Sequence, residues 1–168
     1  MSDLAPVLLA LDAEAHVLGA DGTRTFSVEE LLPGVVSVAG ELKVNALRRD
    51  QVIVELRVPP PPSGLRQGFQ KCRFRQSWDF AVASVAAVVQ FDGEVCREAR
   101  VVLGAVAAGP WRARQAEDYL RGRPLDAAAC EAAAERALAG ARPLASNRYK
   151  VPLVRELVRQ TLDGLRAG

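Results

Sequence analysis

Residues 80 to 106 hold the feature that most narrows the fold. Two long runs rich in Val and Ala, 80–91 and 94–106, flank Asp92-Gly93. Asp-Gly between apolar runs signals a tight hairpin, because such a turn needs a residue that tolerates positive φ. The runs therefore read as two strands, and their small side chains leave room for helices to pack closely on one face. A third strand is expected over 67–75, just upstream. Beyond the hairpin the apolar period becomes helical. The spacing predicts helices over 111–122, over 125–140 with Asp126 as cap, and over 146–165 with Ser146 or Asn147 as cap. Pro152 falls where it sits in the first turns or kinks them. Strands followed by helices give an α+β layer: a three-stranded antiparallel sheet covered by three helices.

Upstream lies a different pattern. Residues 4–12 read as a short helix that Asp3 can cap. Residues 14–19 and 23–28 read as a hairpin around Asp21-Gly22, and 28–34 as a helical turn halted by Pro33 and Gly34. QVIVELRV, 51–58, alternates with period two, so it is expected to bury one face. PPPPSG follows at 59–64, a stiff, extended segment. These features divide the chain into 1–58, a linker over 59–66, and a C-terminal unit over 67–168.

Charge and cysteine usage narrow the function classes. The net charge of +2 is mild and no dense basic stripe occurs, so nucleic acid is not an expected partner. No apolar run reaches membrane-spanning length, and the first residues carry acids where a secretory signal needs cations. Cys72, Cys96 and Cys130 are far apart and form no CxxC pair, so no metal site is expected and a reducing cytoplasm is. His16 is the only histidine. It reads as a strand residue, and no Ser-His-Asp set can be assembled around it. No catalytic residue is assigned from the sequence.

The order of motifs carries a resemblance. A strand and a proline linker precede KxxxRxSWDFAxxSVAA over 71–87 and the Asp-Gly hairpin. VVLGAVAAGPWRARQAEDYLRGRPL, an Ala-rich helix and SNRYKVPLVRELVRQTL follow. This order resembles the C-terminal half of the FAD-binding (medium) subunit of molybdenum hydroxylases, the group of xanthine dehydrogenases and carbon monoxide dehydrogenases. SDLAPVLLALDAEAHVLGADGTRTFSVEELL resembles the end of that subunit's FAD-binding region, so 1–58 is expected to be a remnant of its second FAD-binding lobe. The resemblance implies FAD as cofactor. It also implies, as partners, a large subunit with the molybdenum cofactor and a small iron–sulfur subunit. The Gly-rich loop that wraps the FAD pyrophosphate in the family is absent from this sequence.

Three positions map onto flavin-facing residues of the family. Asp3 corresponds to an aspartate near ribose or ribityl hydroxyls; its plain alternative is a helix cap. Ile53 corresponds to an aliphatic residue against the flavin, or else it is ordinary strand core. Lys71 corresponds to a lysine approaching the ring system, where a cation favours negative charge; otherwise it is a solvated strand lysine. Period-two spacing places Arg73 and Arg75 on its strand face, and Asp79 can pair with one of these arginines. One functional reading is an electron-relay subunit, passing electrons from iron–sulfur clusters through FAD to NAD or another acceptor. The other is a non-catalytic module serving subunit assembly. A third possibility is that the true start lies upstream of Met1.

Overall fold

The computed structural model describes residues 2–38 and 41–166. Met1, on which the question of the true start turns, lies outside the described residues, as do the last two residues of the expected 67–168 unit. Helix α1 (Leu4–Ala10) begins with Ser2, whose Oγ accepts from the Ala5 N–H at 3.2 Å. Asp3 occupies the cap position but makes no side-chain capping bond, because its carboxylate is engaged elsewhere. Strands β1 (Glu14–Gly19) and β2 (Gly22–Ser27) form the expected antiparallel hairpin, with Gly22 at φ 97°. Ser27 ends β2 and opens helix α2 (Val28–Leu31) through a reciprocal cap. Its Oγ accepts from Glu30 N–H at 3.2 Å, and Glu30 Oε2 accepts from Ser27 N–H at 2.8 Å. Strands β3 (Val36–Val38) and β4 (Glu41–Lys43) form a small antiparallel pair that the sequence reading did not anticipate.

Strand β5 (Val52–Arg57) adds to β1, giving the order β2-β1-β5 with a register shift at His16/Val17. The expectation that one face of this strand is buried fails: all six of its residues are exposed. Its alternation is genuine, but no described element lies over the strand, so neither face gains cover. The prolines at 59–62 are exposed and irregular.

The second sheet is built on β6 (Leu65–Cys72), β7 (Ala83–Asp92) and β8 (Val95–Gly104), all antiparallel. Gly93 turns the β7–β8 hairpin at φ 61°. Two short strands, β9 (Trp111–Arg112) and β10 (Arg123–Pro124), pair with β8. Helix α3 (Arg114–Leu120) therefore starts later than expected, since Trp111 and Arg112 join the sheet first. Helix α4 (Ala127–Ala137) is capped as expected, with Asp126 Oδ1 accepting from Ala129 N–H at 2.7 Å. Helix α5 (Lys150–Gly164) starts after a run of turns, so neither Ser146 nor Asn147 is its cap. Pro152 falls in its first turn, where the missing N–H has no intrahelical partner to lose.

The alternation along β7 explains why that strand is almost wholly buried. Ala83, Val85, Ala87 and Val89 face α3, α4 and α5, in a core with Leu120, Ala133, Val158 and Leu162. Ala86 and Val88, with Val102, face Leu9, Ala10 and Val28 instead. The sheet is thus sandwiched, with three helices on one face and α1 on the other. Small side chains on β7 and α4 allow the close approach on the first face. Buried Glu117 ties α3 to the sheet: its Oε1 accepts from Val101 N–H at 3.0 Å, and its carboxylate pairs with Arg112 at 2.6 Å. Among the described residues no helix is long and apolar enough to cross a membrane.

Candidate functional site

Lys71 is the next-to-last residue of β6, opposite buried Ser84 on β7. Its side chain is only 16% exposed, so the cation does not project into solvent. Nζ lies 2.5 Å from Asp3 Oδ2 and donates to the Asp79 carbonyl at 2.7 Å. Asp3 sits at the start of α1, 68 residues away in sequence, and is 44% exposed. The fold brings these two residues together because α1 lies across β7 and β8 on the face away from the three helices. The cation of β6 is therefore aimed at Asp3, and this pairing displaces the cap that helix propensity alone assigns to that aspartate.

The strand ends sooner than expected. β6 stops at Cys72, whose carbonyl accepts from Val82 N–H at 2.8 Å, closing a loop over 73–82. Arg73 and Arg75 consequently do not continue Lys71's strand face. Asp79 organises the loop: Oδ2 accepts from Arg75 N–H at 2.9 Å and from Phe74 N–H at 3.1 Å. The Arg75 guanidinium lies 3.6 Å from Oδ1, so Asp79 does pair with one of the arginines. The Arg75 amide first, then the Arg75 charge and the Phe74 amide, hold the Asp79 carboxyl below its usual range. Trp78 takes a left-handed backbone, φ 52°, and is 97% exposed. Phe74 and Phe80 are exposed beside it in the sequence. Neither the carbonyl role of Asp79 nor the exposed aromatics was read from the sequence, because Lys71-Cys72-Arg73-Phe74-Arg75 keeps strand-like alternation through the loop's start. The Ser-Trp-Asp run was the one available signal of a turn.

Ile53 lies on the other sheet, in β5, opposite Val17 of β1. It is 39% exposed and so is not ordinary strand core. The structure joins Asp3 to Lys71 directly and places Ile53 on a separate sheet edge. A cleft of about 260 Å³, lined by Leu103, Trp111, Leu138, Asn147 and Lys150, includes none of the three. His16 is a β1 residue between Thr25 and Glu55. Burial pushes the Cys96 and Cys130 thiols up to about 11, which keeps them protonated and unreactive. Among the described residues no group of three His, Cys, Asp or Glu side chains is placed to hold a metal.

The comparisons with known proteins meet this geometry. The model of the CO dehydrogenase flavoprotein C-terminal domain matches residues 68–165, which takes in Lys71, the 73–82 loop and all three C-terminal helices. The chain belongs to this family. The aldehyde oxidoreductase FAD-binding subunit PaoB of Escherichia coli K12 is 32% identical over 99% of this chain and 48% of its own length. The carbon monoxide dehydrogenase medium chain of Afipia carboxidovorans is 25% identical over 99% of this chain and 56% of its own. A solved Cu,Mo-CO dehydrogenase superposes with a TM-score of 0.84 at 25% identity, over 98% of this chain and 56% of that one. The chain spans about half the length of these relatives. The α+β architecture read from the sequence is thus that of the flavoprotein family.

The family's cofactor can be tested against the residues present. Asp3 offers a half-exposed carboxylate, an acceptor for sugar hydroxyls, and Lys71 offers a held ammonium. Ile53 offers an exposed apolar side chain. The joined Asp3–Lys71 pair has chemistry that suits a flavin's sugar hydroxyls and ring, whereas Ile53 lies on the other sheet and is not joined to that pair. Nothing comparable suits the diphosphate: the sequence contains no two adjacent glycines and no Gly-rich loop. The fit covers one end of the cofactor only.

Proposed function

We propose that the chain forms the C-terminal part of a FAD-binding subunit of a molybdenum hydroxylase-type oxidoreductase. In this reading it serves electron relay from iron–sulfur clusters to NAD or another acceptor. The observation that carries the reading is the Lys71–Asp3 pair, in which Lys71, inside the span that matches the flavoprotein family, is held against the start of α1 at the mouth of the 73–82 loop. A bound flavin would supply the redox chemistry. This chain's residues would orient it. Two of the three Lys71 N–H groups are used by Asp3 and by Asp79, which fixes the direction of the third. The Asp3 carboxylate both accepts hydroxyl donors and tempers the field of the cation beside it. FAD-binding relatives and medium chains of carbon monoxide dehydrogenases support complex membership, with a molybdenum-cofactor large subunit and an iron–sulfur small subunit as partners. The cytoplasm is the expected compartment.

The alternative reading is a non-catalytic module serving subunit assembly. Flavin released on acid precipitation and read by its fluorescence separates the two, since the partners' iron–sulfur clusters colour the complex in either case. The chain purified with its complex partners should release flavin, and Lys71→Met should lower the flavin retained by roughly tenfold while leaving the circular dichroism unchanged. That fall corresponds to about 1.4 kcal/mol of binding. A complex that releases no flavin after incubation with FAD leaves only the assembly role.

A further inference from the structure

The cleft between the end of β8, Trp111 of β9 and the start of α5 is built from two kinds of residue. Leu103, Ala137 and Val154 are buried and give it an apolar floor. Trp111 lines it while remaining 55% exposed, so part of the indole is open to a guest. Two cations complete the lining: Lys150, the first residue of α5, and the exposed Arg142.

These cations lack counter-charge. No carboxylate lines the cleft. Lys150 is half-buried, and its Nζ donates to a neutral acceptor, the Ala105 carbonyl, at 2.9 Å. Among the described residues neither Lys150 nor Arg142 has an acidic partner. An ammonium drawn partly out of water gains from a nearby anion, as Lys71 does from Asp3. Trp111 also lines a wider cleft of about 420 Å³, but the cations there are taken. Arg112 pairs with Glu117, and Arg114 pairs with Glu29, which itself lines that cleft. The demand for an anion is therefore confined to the first cleft.

Size and shape narrow the guest. A dry apolar cavity of about 150 Å³ accepts benzene, so the 260 Å³ here has room for one ring with substituents or two fused rings. The indole and the planar guanidinium both favour a flat partner. We propose that this cleft is a binding site for a small aromatic monocarboxylate. The ring lies on the apolar floor beside Trp111, and Lys150 and Arg142 hold the carboxylate. The site shares no residue with Asp3, Ile53 and Lys71, and the proposal does not rest on the flavin-subunit reading.

The probe is 2-naphthoate, titrated into the isotope-labelled full chain while the two indole N–H resonances are followed. Trp78 is the internal control, since it is 97% exposed and does not line the cleft. Trp78→Phe assigns the two signals. The Trp111 signal should move saturably with a dissociation constant below about 1 mM, while the Trp78 signal stays in place. The uncharged amide, 2-naphthamide, should bind at least tenfold more weakly. Arg142→Gln should weaken 2-naphthoate by a similar factor and keep wild-type circular dichroism, because Arg142 is exposed and makes no ion pair. An Arg142→Gln chain that does not fold leaves the decision to the comparison of carboxylate and amide on the wild type. No saturable shift of Trp111, equal shifts of both indoles, or amide bound as tightly as carboxylate would each overturn the proposal. Full affinity in folded Arg142→Gln would overturn it as well.

Discussion

Asp79 works through both ends of one residue. Its carbonyl receives Lys71, and its carboxylate holds the amides of Phe74 and Arg75, so the direction of the cation and the shape of the loop are set together. Because the folded carboxyl is held below its ordinary value, chiefly by the Arg75 amide, its contribution is complete above the unfolded value of ~3.9. The contribution is lost as pH falls through the lowered folded value. Asp79→Asn should therefore speed exchange of the Phe74 and Arg75 amides at neutral pH. The gap between variant and wild type should close below about pH 4, in the window where the wild-type carboxylate protonates. Equal exchange in the two proteins at neutral pH would remove the carboxylate from the loop's organisation. The sequence showed this residue as a candidate partner for an arginine, but not its hold on Lys71. A backbone carbonyl has no signature in a residue string, and its placement depends on a left-handed turn at Trp78 that no Gly announces.

Elements whose ends are fixed by local chemistry were the legible ones. Asp92-Gly93 demands a tight turn, and Asp126 caps α4, so both boundaries follow from their own residues. Helix α3 was placed too early, since Trp111 and Arg112 gain more from pairing with Leu103 and Val102 than from another helical turn. Asp3 shows the same competition: a weak local preference yields to a partner on another element. The packing of α1 onto β8 is equally non-local, and it turns on Gly104. A Cβ there would collide with the Ser84 hydroxyl and come within 2.8 Å of Pro6 Cγ. Gly104→Ala should lower unfolding stability by roughly 1–3 kcal/mol, the usual cost of overpacking a tight interface. Chemical denaturation measures it. A variant as stable as wild type would mean that α1 shifts off the sheet without loss, and that its face of the core is loosely held.

At the scale of the molecule, stability is unevenly distributed. The β6–β7–β8 sheet is enclosed between three helices and α1, and β7 and β8 are buried over much of their length. Among the described residues the core beneath the β2-β1-β5 sheet holds three buried side chains, Ala15, Val17 and Leu31, with Phe26, Leu32 and Leu47 half-buried against them. Buried apolar contacts set the free energy of local opening. The amides of β1 and β5 should thus exchange through a sub-global opening at least about 1.4 kcal/mol below that of β7 and β8, a tenfold difference in rate. Native-state hydrogen exchange across a urea series reads this directly. Protection that is uniform from β1 to β8 would show that α1, which shares its core with β7 and β8, couples the first sheet fully to the second. The prediction also bears on why β5 misled the sequence reading. Its alternation describes a strand with cover, whereas a lone chain can report only the pattern and not the element that supplies the cover.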